Sequence, residues 1–146
     1  MSSDDPYDLE RFVQAQAADF ARALAELRAG EKRSHWMWYI FPQLAGLGQS
    51  AMSRRYAIKS TGEANAYLNH PILGARLREC FAVLQQLTGR SAHQIFGSPD
   101  DMKLRSCATL FAYVSGEKIF GEIIDKYFDG AQDDNTIRLL QTESTP

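Results

Sequence analysis

Apolar residues recur at helical spacing along most of this chain, and nowhere does a strict alternation run long enough to predict a strand. Leu9, Phe12, Val13, Gln16, Phe20, Leu24 and Leu27 form one stripe, which Asp5 and Pro6 open and Gly30 closes. Between Gly30 and Gly48 a short aromatic run, Trp36 to Phe41, ends against Pro42. Its length does not settle its type, and the reading adopted is a short helix ending near Phe41. Ser50 to Ile58 predicts another short helix, and Ser60 with Glu63 has the spacing of a capping box for a helix ending near Asn69.

A longer helix follows from Pro71, carried by Leu73, Leu77, Phe81, Leu84 and Leu87 and stopped by Gly89. Ser98, Pro99 and Asp101 announce the next, whose wide apolar coverage through Leu104, Cys107, Ala108, Phe111 and Val114 predicts a largely buried, central helix broken by Gly116. Phe120, Ile123, Ile124, Tyr127 and Phe128 mark a further stripe up to Gly130, and Asp134 starts a last short helix through Leu140. His70 reads as a cap or turn residue and His93 as a surface position on a helix. The expectation is an all-α protein forming a single compact multi-helix domain over residues 1–146, with its core at about 7–140 and a frayed tail at 141–146.

Composition sharpens this picture in three ways. With 45% hydrophobic and 23% charged residues the chain has the makings of a folded core, and 11% aromatics enriches it. A formal net charge of −2 gives no bulk attraction to nucleic acid or to anionic membranes, so any such binding must be local. Cys80 and Cys107 each lie among apolar neighbours, as reduced buried thiols do, and imply no disulfide framework. No window is apolar for the roughly 18 residues of a membrane span, and Met1 to Glu10 lacks an export signal, which predicts a cytoplasmic location.

The stretch KRSHWMWYIFPQLAGLG, followed in order by SAMSRRYAI, LNHPILGARLREC, IFGSPDDMKLRS and TLFAY, resembles a bacterial, all-helical family of uncharacterised proteins. Its members are sometimes labelled calpastatin, a label that fits poorly here because nothing in this chain suggests a disordered protease inhibitor. The resemblance spans roughly Tyr7 to Leu140. It implies a mainly α-helical fold and carries no reaction with it. Cys107 and Ala108 stand where serine-like and methionine-like residues are expected in relatives, which puts in doubt a role for the thiol. A fainter likeness, through the His70–Pro71 segment and a later Phe-Gly with acidic residues, is to a helical family linked to ADP-ribose metabolism.

Three groups of residues could carry chemistry. Lys32, Arg33, Ser34 and His35 immediately precede Trp36 and Trp38, and Gln43 follows Pro42. Cations and a hydroxyl beside flat rings are what holding a phosphate and stacking a base require, and Gly46 and Gly48 leave backbone amides open to close approach by an anion. The same residues also fit a plain alternative, in which the rings are core and the cations a solvated connection. Ser53, Arg54 and Arg55 form the second group; consecutive helical residues point about 100° apart, so both arginines cannot aim inward, and one is expected to pair with a carboxylate. Lys103, Arg105 and Ser106 form the third, near a helix start. There Arg105 has an alternative partner in Asp101 four residues earlier.

For proton transfer His35 is the catalytic candidate, since imidazole titrates near working pH. The three histidines have no metal-ligand spacing, and no nucleophile elbow, phosphate loop or dinucleotide glycine pattern is present, which speaks against a metal site and the common hydrolase and nucleotide folds and leaves the cofactor unknown. Two functions from different classes follow: a pocket for a small anionic, nucleotide-like ligand built from these groups, or a protein-interaction domain docking through the aromatic segment 36–41. RNA binding through the same basic and aromatic stretches is a third reading, marked by steep salt dependence.

Overall fold

The computed structural model describes residues 5–144. The described residues form nine helices in the order α1 (Glu10–Ala29), α2 (Met37–Ile40), α3 (Ala51–Arg55), α4 (Thr61–Asn69), α5 (Leu73–Gln86), α6 (Ala92–Phe96), α7 (Asp100–Ser115), α8 (Lys118–Phe128) and α9 (Asp134–Ser144). α7 is the centre: it packs against α4, α6, α8 and α9, while α5 packs against α1, α4 and α8. Of the wide apolar face read from the sequence, Leu104, Cys107, Ala108 and Phe111 are fully buried, joined by Leu110, while Val114 is half-buried. The fold is all-α, and no described helix is long and apolar enough to cross a membrane.

Most of the aromatic content is spent on packing. Ring contacts run unbroken from Trp36 through Phe41, Phe81, Phe120, Phe111, Tyr67, Phe12 and Tyr56 to Tyr39, with centroids 4.9–6.1 Å apart. Such tilted and edge-on pairs add about 0.5–1.5 kcal/mol each beyond the area they bury. Gln16, on the buried stripe of α1, is satisfied inside this layer: its amide donates to the Tyr39 carbonyl (2.7 Å) and the Tyr67 hydroxyl (2.9 Å), and its oxygen accepts from Arg76. Cys80 and Cys107 are buried and unbridged. Burial pushes the Cys80 thiol up to about 12 and the Cys107 thiol well above its usual range.

Several element boundaries differ from the sequence reading, each for a local reason. Asp5 does cap the first helix, accepting from the amides of Leu9 (2.7 Å) and Glu10 (3.0 Å). Pro6 lies in a preceding turn that includes Asp8 at φ 53°, so α1 begins four residues later than the proline predicts. α3 stops at Arg55 because the chain then turns extended: Ile58 forms a parallel bridge with Leu44, its amide donating to the Gln43 carbonyl while the Ala45 amide donates to the Ile58 carbonyl. Ser60 caps α4 through the Glu63 amide, but the Glu63 carboxylate reaches back to the Lys59 amide rather than to Ser60. His70 holds the turn into α5 by accepting from the amides of Ile72 and Leu73. Pro99, joined to Ser98 by a cis peptide, sits at the cap of α7, and α9 continues past Leu140 to Ser144, where a frayed tail was expected.

Candidate ligand-binding cavity

The segment 32–38 is held by two carboxylates from different helices, one on α1 shortly before it and one on α7 far along the chain. Glu26 on α1 accepts hydrogen bonds from the Arg33 and Ser34 amides, the Ser34 hydroxyl (2.6 Å) and the Trp36 indole nitrogen (2.9 Å). Burial alone would raise its pKa, but the four donors outweigh it and hold the carboxyl at about 2. Asp100, at the start of α7, takes the Lys32 ammonium at 2.9 Å and the Lys103 ammonium at 3.2 Å. Those two lysines also lie over rings, Lys32 over Trp36 and Lys103 over Trp38, at 5.2 and 4.9 Å from the centroids.

The predicted site residues are therefore divided. Lys32, Ser34 and Trp36 are tied into the fold, and Trp36 is fully buried. Arg33 is 73% exposed and pairs with Glu31, and His35 is exposed; neither lines the two cavities described below. The aromatic segment offers no docking face: Trp36, Met37, Tyr39, Ile40 and Phe41 are all buried, and the Tyr39 hydroxyl is bonded to Asp19. Trp38 alone stays partly open.

Trp38 opens onto a cavity of about 330 Å³, at the lower end of the usual ligand-pocket range. The wall is mostly apolar, from Trp38, Leu44, Leu47 and Tyr56. Gln43, Ser53, Arg54 and Lys59 supply its polar groups. No carboxylate lines it. Arg54 and Lys59 are exposed and make no ion pair among the described residues. Arg55 points elsewhere, its guanidinium 5.5 Å from the Tyr56 ring and its Nε donating to the Tyr56 hydroxyl, so the expected carboxylate partner is replaced by a phenol.

Tertiary contacts far from α3 build this wall. Arg11 of α1, itself nearly buried, pairs with buried Glu63 at 2.7 Å and donates to the carbonyls of Arg55 and Ala57, fixing the chain between them. The Leu44–Ile58 bridge joins the two sides of the floor. The two glycines act differently: a Cβ on Gly48 would sit 2.5 Å from Ser53 Oγ, so size excludes a side chain there, whereas Gly46 adopts φ 100°, a left-handed conformation that side chains rarely take.

A second cavity of about 300 Å³ shares Gln43, Leu47, Gly48 and Ser53 with the first and extends to Lys103, Ser106, Asp133 and Asn135. Asp133 caps α9, its Oδ2 accepting from the Thr136 amide (3.0 Å) and hydroxyl (2.6 Å). Its Oδ1 faces Arg105 Nη2 at 3.7 Å, which makes Asp133 the partner of Arg105 in place of Asp101; Asp101 lies 3.4 Å from the exposed His93 imidazole instead. The Arg105 Nε is buried without a hydrogen-bond partner, and Arg105 lines neither cavity.

Of the residues singled out in the sequence, the structure thus gathers Trp38, Gln43, Ser53, Arg54, Lys103 and Ser106 around two adjoining cavities. It leaves Lys32, Arg33, Ser34, His35, Trp36, Arg55 and Arg105 outside them. Sequence reasoning missed Lys59, Asp133 and Asn135. Only Asp133 carried a local signal, the Asp-x-x-Thr spacing of a helix cap.

The likeness to known proteins bears on the fold more than on this site. No curated protein matches. A conserved hypothetical protein, Rv1873 from Mycobacterium tuberculosis, known from a crystal structure, is 51% identical, with 94% of this chain and 99% of that one covered and a TM-score of 0.93. Residues 6–140 match the family model described as a protein of unknown function, DUF1810, and to that family the chain belongs.

Proposed function

We propose that the protein binds a small anionic ligand bearing a flat ring, nucleotide-like in that combination, in the cavity beside Trp38. One observation carries the reading: Arg54 and Lys59, cations that make no ion pair among the described residues, share a largely apolar pocket with the Trp38 and Tyr56 rings. A ring can stack there while its anionic substituent meets guanidinium and ammonium groups that no described carboxylate neutralises. The lining contains no histidine and no carboxylate, so what it supports is binding rather than proton transfer. The burial of segment 36–41 weighs against the interaction-domain alternative.

Thermal shift and titration calorimetry with adenosine 5′-monophosphate and with inorganic phosphate test this. A ligand at 100 times its Kd stabilises by about 2.7 kcal/mol, a readily measured rise in Tm. The rise is expected to vanish in Arg54→Gln/Lys59→Gln and to survive Arg33→Gln. Absence of any shift at millimolar nucleotide rejects the proposal.

A further inference from the structure

The two cavities share a wall but differ in charge. The first is lined by two cations and no carboxylate; the second by one ammonium, Lys103, and one carboxylate, Asp133. Neither charge in the second is fresh. Lys103 is already engaged by Asp100 at 3.2 Å, and Asp100 is in turn engaged by Lys32, while Asp133 has Arg105 at 3.7 Å. An anion placed here would have to approach the Asp133 carboxylate.

The remaining groups are neutral and two-sided. The Ser106 hydroxyl donates along its own helix to the Met102 carbonyl (3.2 Å) and keeps its acceptor sites, and Asn135 uses its oxygen on Arg138 and keeps its amide donors. Gln43 brings a donor and an acceptor to the shared wall. At 3.7 Å from the Arg105 nitrogen, Asp133 Oδ1 is beyond hydrogen-bond reach of it and retains capacity to accept a proton donor.

Donors and acceptors alternating in a charge-balanced hollow match a group that itself both donates and accepts at neighbouring atoms. From this we infer that the second cavity is a subsite for a neutral, hydroxyl-bearing moiety, a sugar ring with vicinal hydroxyls, continuous with the anionic, ring-bearing portion seated in the first. Lys103 and Asn135 donate to the hydroxyl oxygens; Asp133 and Ser106 accept from the hydroxyl hydrogens. This deepens the reading of the first cavity and rests on it for the rest of the ligand.

Amide ¹H–¹⁵N spectra of the full chain, titrated separately with methyl β-D-ribofuranoside and with inorganic phosphate, distinguish the two compartments. The sugar is expected to move the amides of Ser106, Asp133 and Asn135, and phosphate those of Gly48, Ser53, Arg54 and Lys59. Calorimetry with adenosine 5′-monophosphate and its 2′,3′-dideoxy form then reads the hydroxyls directly, with a loss of about tenfold or more in the dideoxy compound. Asp133→Asn keeps a competent helix cap and removes the carboxylate acceptor, so it should shrink that ratio; Asn135→Leu, which leaves the cap alone, should do the same if Asp133→Asn fails to fold.

Equal affinity for the two nucleotides, or a sugar that leaves these amides unmoved, or phosphate that prefers them, overturns the subsite. Failure of the first cavity reads differently: phosphate and nucleotide then leave residues 48–59 undisturbed, and the sugar titration decides the second cavity by itself.

Discussion

Two stretches of this chain, 32–36 and 53–59, carry nearly the same side chains, cations and a serine beside aromatic rings, yet the fold treats them oppositely. In the first, Glu26 collects four donors and Asp100 takes the lysine, so the polar groups serve as anchors for a buried tryptophan. In the second, Arg54 and Lys59 make no ion pair among the described residues and stand at the mouth of a cavity. What decides between anchor and binding group is whether a carboxylate from elsewhere arrives, and composition is silent on that. The contrast also explains why a basic, aromatic motif is weak evidence for ligand binding until its counter-charges are known.

The contrast can be broken most forcefully from underneath the second stretch. Arg11→Ala would leave buried Glu63 without its counter-charge and release the carbonyls of Arg55 and Ala57. A loss of about 3–5 kcal/mol in denaturant unfolding is expected, with any nucleotide response lost as the cavity wall loosens. Glu26→Ala attacks the first stretch. It strands the Trp36 indole and Ser34 donors and should cost about 2–3 kcal/mol, while the native fraction binds as before.

The same carboxylate sets an acid limit. Its folded pKa, about 2, lies below the ordinary 4.5, so its contribution is complete above pH 4.5 and is lost as pH falls from there toward 2. Stability followed over that range should decline less steeply in Glu26→Gln than in the parent protein. Gly48→Ala comes next, at about 1–3 kcal/mol, because the new methyl collides with Ser53 at the start of α3; a weaker nucleotide response should accompany it. The smallest effects make the sharpest comparison. Arg33→Ala and Arg54→Ala should each change stability by no more than about 0.5 kcal/mol, and only the second should alter binding.

Helix identity was largely legible in the sequence because burial of one face imposes a 3.6-residue period, which α1, α5, α7 and α8 display, while α4 was legible from its Ser60 cap. Their ends were less so. Pro6 and Ser98 both look like openings, but Asp5 caps across a turn and Pro99 takes the cap position itself. Ile58 looks helical by composition and is drawn out of α3 by Leu44, a partner fourteen residues back. The short α6 carries no period to read, although Ser91 and Gln94 form a complete capping box ahead of it.

The candidate site was legible in part for the same reason. Trp38, Gln43, Ser53, Arg54, Lys103 and Ser106 were visible as residue types suited to a ligand, and the fold happens to gather them. Lys59 was invisible because its relevance comes from a β-bridge, which leaves no local pattern, and Asp133, legible as a helix cap, gave no sign that the docking of α9 brings it to a cavity. Lys32 was over-read because Asp100 lies far away along the chain, and Ser34 because its partner Glu26, though only 8 residues earlier, sits on α1 across the turn at Gly30.

The two tryptophans, separated by the single residue Met37, face unlike surroundings: Trp36 is sealed with its indole nitrogen on a carboxylate, Trp38 is partly open beneath a lysine. The molecule therefore contains a built-in pair of optical probes, one sensitive to unfolding and the other to whatever enters next to it. In a Trp36→Phe background, emission and quencher access would follow occupancy at Trp38 without a label being attached.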